Sequence, residues 1–96
     1  MNVTVTFRHM EHTDALKKYA EDKLKKIKKY LNNPVDVSVV LSVEKHRHIA
    51  EVIVTGDRVT LKGKEATDDM YSAIDMVLDK IGIQAKKHKE KIAGHH

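Results

Sequence analysis

The sequence predicts an α+β fold, a two-layer sandwich in which a four-stranded sheet carries two helices on one face. Three features predict it. Four segments alternate apolar and polar residues, two longer segments repeat apolar residues every three or four positions, and their order along the chain is β-α-β-β-β-α. Strict alternation leaves one sheet face wet, so both helices need the same apolar face. The chain has 96 residues, 41% hydrophobic and 33% charged, which is material for one domain over residues 1–96 with a modest core.

Residues 2–8 form β1, with Val3, Val5 and Phe7 on one side and Thr4, Thr6 and Arg8 on the other. After a polar break, Thr13 is placed to cap a helix, α1, whose apolar stripe runs through Leu16, Tyr19, Ala20, Leu24, Ile27, Tyr30 and Leu31. Asn32-Asn33-Pro34 ends it, because the residue before proline is pushed out of the helical region. Residues 35–43 (β2), 50–54 (β3) and 59–61 (β4) return to period two, with Val35, Val37, Val39, Leu41, Val43, Ala50, Val52, Val54, Val59 and Leu61 inward. Lys45-Arg47 and Gly56-Asp57 are the connections of an antiparallel meander. Thr67 is the expected cap of α2, residues 68–91, with Asp68 and Asp69 in its first turn. Met70, Ile74, Val77, Leu78, Ile81, Ala85 and Ile92 form its stripe, which Gly82 weakens without ending.

The formal net charge is only +4, but the charge is segregated. Residues 17–29 hold seven lysines against Glu21 and Asp22, a net of +5, and residues 80–91 hold five lysines against Glu90, a net of +4. Between them, residues 65–79 carry five acids and no base. On a helical wheel Lys18, Lys25 and Lys29 lie opposite the α1 stripe, and Lys80, Lys87 and Lys91 form a row along one flank of α2. At about 1.5 Å per residue α2 spans about 36 Å, so its lysine-rich end is expected to overhang the sheet, where it can meet a phosphate backbone. Mixed-charge (i, i+4) series such as Lys17-Glu21-Lys25 also suit a plain solvated face. Lys23 does not fit that reading. It lies inside the apolar arc of α1, so its stem must follow the core edge while its ammonium reaches outward.

Other chemistries are disfavoured. The sequence has no cysteine, which removes disulfides, thiolate metal sites and thiol catalysis. His46-Arg47-His48 has no third ligand at a diagnostic spacing, His88 fits a packed or half-exposed position, and no inference is attached to His95-His96. Asp68-Asp69 and Asp75-Asp79 serve as dipole partners and surface acids, with no nucleophile and base beside them, so no enzyme and no cofactor is expected. Base reading by an aromatic sheet is disfavoured, since Phe7 is the only phenylalanine and points to the packed face, while Tyr19, Tyr30 and Tyr71 fit helix packing. No segment matches the roughly 18–20 apolar residues of a membrane span, and the first residues lack a signal-peptide pattern, so a cytoplasmic protein is expected. Recognition of RNA shape and backbone by lysines remains.

Specific blocks then carry a resemblance across essentially the entire chain: Thr13-x-Ala15-Leu16, Glu21-x-Lys23-Leu24, Val40-x-x-x-Glu44-Lys45, and above all Asp69-Met70-Tyr71-x-Ala73-Ile74-Asp75 with Asp79-Lys80 and Lys87-His88-Lys89-x-Lys91. The chain resembles the short ribosome hibernation promoting factors, a family that includes the ribosome-associated inhibitor called protein Y. The resemblance implies a fold similar to a double-stranded RNA-binding domain. It also implies binding to the small ribosomal subunit and its rRNA where mRNA and tRNA would sit, near the decoding centre, with inhibition of translation in stationary phase. It implies pairing of 70S ribosomes into inactive 100S dimers together with ribosome modulation factor, and a monomer off the ribosome. Carried over by position, the rRNA contacts are Lys23 and Lys26 in α1 and Lys80, Lys86, Lys87, Lys89 and Lys91 in α2, while Lys25, Lys28 and Lys29 are added from the wheel. Long members append a dimerising domain and protein Y a C-terminal tail, so a chain with five residues after Lys91 reads as the short type. A protein Y-like inhibitor of 70S monomers and a general double-stranded RNA-binding module are the alternatives. The lysine-heavy α1 and Gly82 depart from the family pattern.

Overall fold

The computed structural model describes residues 1–31, 36–56 and 58–93, with side chains as far as Lys89. The Asn32-Asn33-Pro34 break, Val35, Asp57, the side chains of Lys91 and Ile92, and His95-His96 lie outside the described residues. The elements follow the expected order: β1 (Asn2–Arg8), α1 (Asp14–Ile27), a 3-10 turn (Lys28–Tyr30), β2 (Asp36–Glu44), β3 (Arg47–Gly56), β4 (Val59–Thr67) and α2 (Met70–Ala93).

The strands lie side by side in chain order. β1 pairs with β2 in parallel, placing Val3, Val5 and Phe7 opposite Val37, Val39 and Leu41. The β2–β3 and β3–β4 pairs are antiparallel, so the meander is as expected. Val37, Val39, Leu41, Ala50, Val52, Val54 and Leu61 are buried on one face and meet Leu16, Ala20 and Leu24 of α1 and Met70, Ala73, Ile74, Val77, Leu78, Ile81 and Ala85 of α2. This pairing also orients the helices. β1 and β4 point the same way, each is followed directly by a helix that returns across the sheet, and α1 and α2 therefore run parallel to one another.

Several boundaries differ from expectation. Thr13 caps α1 as expected, in an extended conformation with its side chain accepting a hydrogen bond from the Leu16 N–H at 3.1 Å. The α-helical part ends at Ile27 rather than Leu31, and the chain tightens into the 3-10 turn, closed by the Leu31 N–H on the Lys28 carbonyl at 2.9 Å. Arg47, expected in the β2–β3 connection, belongs to β3 and pairs with Glu44, which leaves a two-residue turn whose Lys45 has a φ of 57°. β4 is longer than the sequence pattern shows and continues through Thr67, so the cap of α2 moves from Thr67 to Asp69. The Asp69 carboxylate accepts from the N–H of Ser72 at 3.0 Å, and its carbonyl accepts from the N–H of Ala73 at 3.0 Å. Asp68 and Asp69 thus precede the helix instead of occupying its first turn.

α2 lies over β3 and β4. Gly63 permits its close approach: a Cβ there would stand 3.1 Å from Val77 Cγ2 and 3.5 Å from Ile81 Cδ1. Gln84 reaches the Lys62 carbonyl of β4 at 3.1 Å, and Ala85 is the last buried residue of α2 among those described. α2 also packs beside the 3-10 turn.

Candidate nucleic-acid interface

Because α1 and α2 are parallel, their residues meet in matching order. The rings of Tyr19 and Tyr71 pack edge to face with centroids 4.9 Å apart. One turn on, Asp75 Oδ1 accepts from the Tyr19 hydroxyl at 2.6 Å and from the Lys23 ammonium at 2.8 Å, and Lys23 also lies 3.7 Å from Asp79. Next, Gly82 leaves room for Ile27, whose Cγ2 would stand 3.1 Å from a Cβ at that position. At the far end the Lys89 ammonium donates to the Lys29 carbonyl at 2.7 Å. The acidic half of α2 therefore faces the middle of α1, and the two lysine-rich halves, 52 to 60 positions apart in sequence, share one end of the molecule.

The negative end of the α1 macrodipole lies there too, which favours its last-turn Lys25 and Lys26 by a few tenths to about 1 kcal/mol each. The same end holds the last-turn Lys25 and Lys26 of α1 and the Lys28 and Lys29 of the 3-10 turn, with Lys86, Lys87 and Lys89 of α2.

The ten lysines singled out in the sequence fall into distinct settings. Lys23 is committed to the helix–helix contact. Burial of its stem opposes its charge, but the hydrogen bond to Asp75 and the charges of Asp75 and Asp79 outweigh that and raise its pKa. The hydrogen bonds from Lys23 and then Tyr19 hold the Asp75 carboxyl below its ordinary range, and the bond to Asp75 raises the Tyr19 hydroxyl. Lys80 pairs with Glu65, whose side chain is only 16% exposed on the helix-facing side of β4. Lys89 ties the α2 extension to the 3-10 turn, and Lys29 lies over the Tyr30 ring, 5.2 Å from its centroid. Lys25 is 3.8 Å from Asp22 and, with Lys28 and Glu21, lines a hollow beside Met1 and Val3, on the β1 side of α1. Lys26, Lys86 and Lys87 are exposed, and Lys26 is near enough to Asp75 to help keep it ionised. The Lys91 side chain is outside the described residues.

Sequence reasoning treats Asp75 and Asp79 as surface acids and misses that they answer Lys23. The available signal is the misplaced cation itself, since a lysine inside an apolar arc needs a counter-charge on whatever packs beside it. His46 lies in the β2–β3 turn and His48 in β3, so strand alternation does not set them on one face. Among the described residues no group of three His, Cys, Asp or Glu is arranged to hold a metal, and no helix is long and apolar enough to cross a membrane.

The model of a protein family described as sigma 54 modulation protein / S30EA ribosomal protein matches residues 3–93. The ribosome hibernation promoting factors of Escherichia coli (strain K12) and Salmonella typhimurium are each 33% identical to this chain over 95 residues, covering 99% of it and 100% of the relative. Among solved structures, the N-terminal domain of Thermus thermophilus protein Y superposes with a TM-score of 0.85 at 31% identity, covering 92% of this chain and 99% of that one.

Proposed function

The chain belongs to the sigma 54 modulation protein / S30EA family, that of the ribosome hibernation promoting factors and protein Y, and on that premise we propose that it is a ribosome hibernation factor. It binds the small ribosomal subunit through rRNA at the mRNA and tRNA sites near the decoding centre and inhibits translation without catalysing a reaction. Residues 1–96 act as one ribosome-binding domain, monomeric off the ribosome and cytoplasmic. The observation that carries this reading is the parallel pairing of α1 and α2, which brings two basic segments to the same end of the molecule. Lys25, Lys26, Lys28, Lys29, Lys86, Lys87 and Lys91 supply phosphate contacts, while Lys23, Lys80 and Lys89 hold the patch in shape through Asp75, Glu65 and the Lys29 carbonyl and add to its charge.

Titration of purified small subunits across a salt series tests it. Replacing Lys26, Lys28 and Lys87 by alanine should weaken binding and lower the slope of log affinity against log salt by about 1 for each lysine that meets a phosphate. An unchanged slope and affinity would refute the assignment. Equal affinity for free duplex RNA in competition would instead support a general double-stranded RNA-binding module.

The outcome on the ribosome is pairing into inactive 100S dimers, together with ribosome modulation factor. The second reading is that of a protein Y-like inhibitor, which leaves inactive 70S monomers. A sucrose gradient of stationary-phase lysate separates them: deletion abolishes the 100S peak in the first case and enlarges it in the second.

A further inference from the structure

The strand order brings one more basic element to the end that gathers the lysines. α1 and α2 each run back along the sheet from the strand before them, so their C-terminal ends lie where β1 and β4 begin. β4 begins at Val59, and Arg58 stands immediately before it in the β3–β4 turn. Arg58 is exposed and has a φ of 62°, a left-handed conformation that suits glycine and disfavours a residue with a side chain. Lys62 is exposed on the open face of β4. Of the acids on that face, Glu51 stands opposite Lys64 rather than Lys62, and Asp36 accepts from Asn2 at 3.2 Å. Among the described residues neither the Arg58 nor the Lys62 side chain has a hydrogen bond or an ion pair. The lysines of α2 divide between two flanks. Lys89 reaches the Lys29 carbonyl and Lys86 stands beside Ile27 and Tyr30, on the α1 side. Lys80 pairs with Glu65 of β4, so Lys87, seven positions on along the same row, turns toward the β4 edge. Gln84 bonds the Lys62 carbonyl and so sets the level. At about 1.5 Å per helix residue and about 3.3 Å per strand residue, Lys87 and His88 come level with Thr60, and the next helical turn with Arg58.

We propose that Arg58 and Lys62, with Lys87, bind a second segment of RNA backbone on the β4 side of α2, so that the last turns of the helix lie between two strands. Lys28, Lys29 and Lys86 face the strand on the α1 side. Opposite them, the Arg58 guanidinium holds a phosphate through paired N–H donors, and the Lys62 ammonium holds another further along the same backbone. The ligand that fits is folded RNA presenting two backbone segments about one helix diameter apart, roughly 10–12 Å, whereas a lone strand meets one flank only. Phosphates on both flanks also fix the roll of α2 against the RNA, which contacts on a single flank leave free. The proposal rests on the reading of this end as an rRNA-binding surface and adds to it two residues that lie outside both helices.

Titration of purified small subunits across a salt series with Arg58→Gly and Lys62→Ala variants tests it. Arg58→Gly removes the guanidinium while giving the turn the residue its φ favours, so a loss of binding is not a loss of fold. Each variant should bind more weakly and lower the slope of log affinity against log salt by about 0.7–0.9, the value of one phosphate contact. Lys45→Ala is the control. Lys45 is exposed with a φ of 57°, but in the β2–β3 turn at the opposite end of the sheet, and its loss should leave the slope unchanged. The sequence has no cysteine, so Thr60→Cys and Ile83→Cys each give a single attachment point for a short aryl-azide crosslinker, one on each flank of α2. Crosslinks mapped on the rRNA should fall in two segments that are not contiguous in its sequence. Unchanged slopes for Arg58→Gly and Lys62→Ala would overturn the second contact while leaving the α1–α2 lysines standing. An equal decrease with Lys45→Ala would reduce the effect to net charge and overturn it too, as would crosslinks from both positions to one continuous segment. Failure of the wild type to bind small subunits would overturn both readings.

Discussion

Asp75 joins three groups from two helices, and its protonation is the point at which pH reaches this contact. Its folded pKa lies below the ordinary 3.8, held there by the Lys23 and Tyr19 hydrogen bonds. The stability it contributes is therefore present above the ordinary value and disappears as pH falls through the lower, folded value. Replacing Asp75 by asparagine should flatten the acid limb of a plot of unfolding free energy against pH. An acid limb identical to wild type would show that the triad contributes nothing. Lys23 and Tyr19 have the opposite sign: both pKa values are raised, so their contribution is complete at neutral pH and disappears as pH rises past their ordinary values of 10.5 and 10.0. A second residue-scale prediction concerns Asp69. Its carboxylate satisfies the Ser72 N–H at the start of α2, and Asp69→Ala should cost about 1 kcal/mol in chemical denaturation. Thr67→Ala, which leaves that cap in place, should cost less.

Among the elements, the strands that are easiest to read from sequence are those whose inward positions are all aliphatic. Val37, Val39 and Leu41 announce β2 because each faces the helices, and alternation survives along its length. The apolar pattern of β4 reaches only as far as Leu61, since its remaining inward positions are Gly63, Glu65 and Thr67. Two of these depart from the pattern for a tertiary reason: Gly63 makes room for Val77 and Ile81, and Glu65 takes the charge of Lys80. Hidden in the same way, the start of α2 offers three cap-type residues in a row, Thr67-Asp68-Asp69, and only the length of β4 selects the third. Gly63→Val should push α2 away from the sheet and destabilise the fold by about 1–3 kcal/mol, measurable as a lower denaturation midpoint. A neutral result would mean that α2 can shift at no cost. For the candidate interface, segregation of charge is plain in the sequence, but which lysines are already engaged is not. Local periodicity gives the face of a helix and carries no information on its neighbour 52 positions away.

For the molecule as a whole, affinity for ribosomes should be governed by the joint patch rather than by the net charge of +4. With six or more phosphate contacts, raising salt from about 50 to about 200 mM should lower affinity for small subunits by roughly 10³-fold or more. A decrease below tenfold would mean that few lysines meet phosphates. The parallel pairing of the helices also has a consequence for synthesis. One half of the patch is translated early and the other only with α2, after the whole sheet has been encoded. A nascent chain therefore carries α1 without its counterpart and lacks the means to grip a small subunit until α2 has emerged. Chains stalled before that point should leave small subunits unprotected, so that the order of elements along the polypeptide delays self-inhibition until synthesis of the domain is complete.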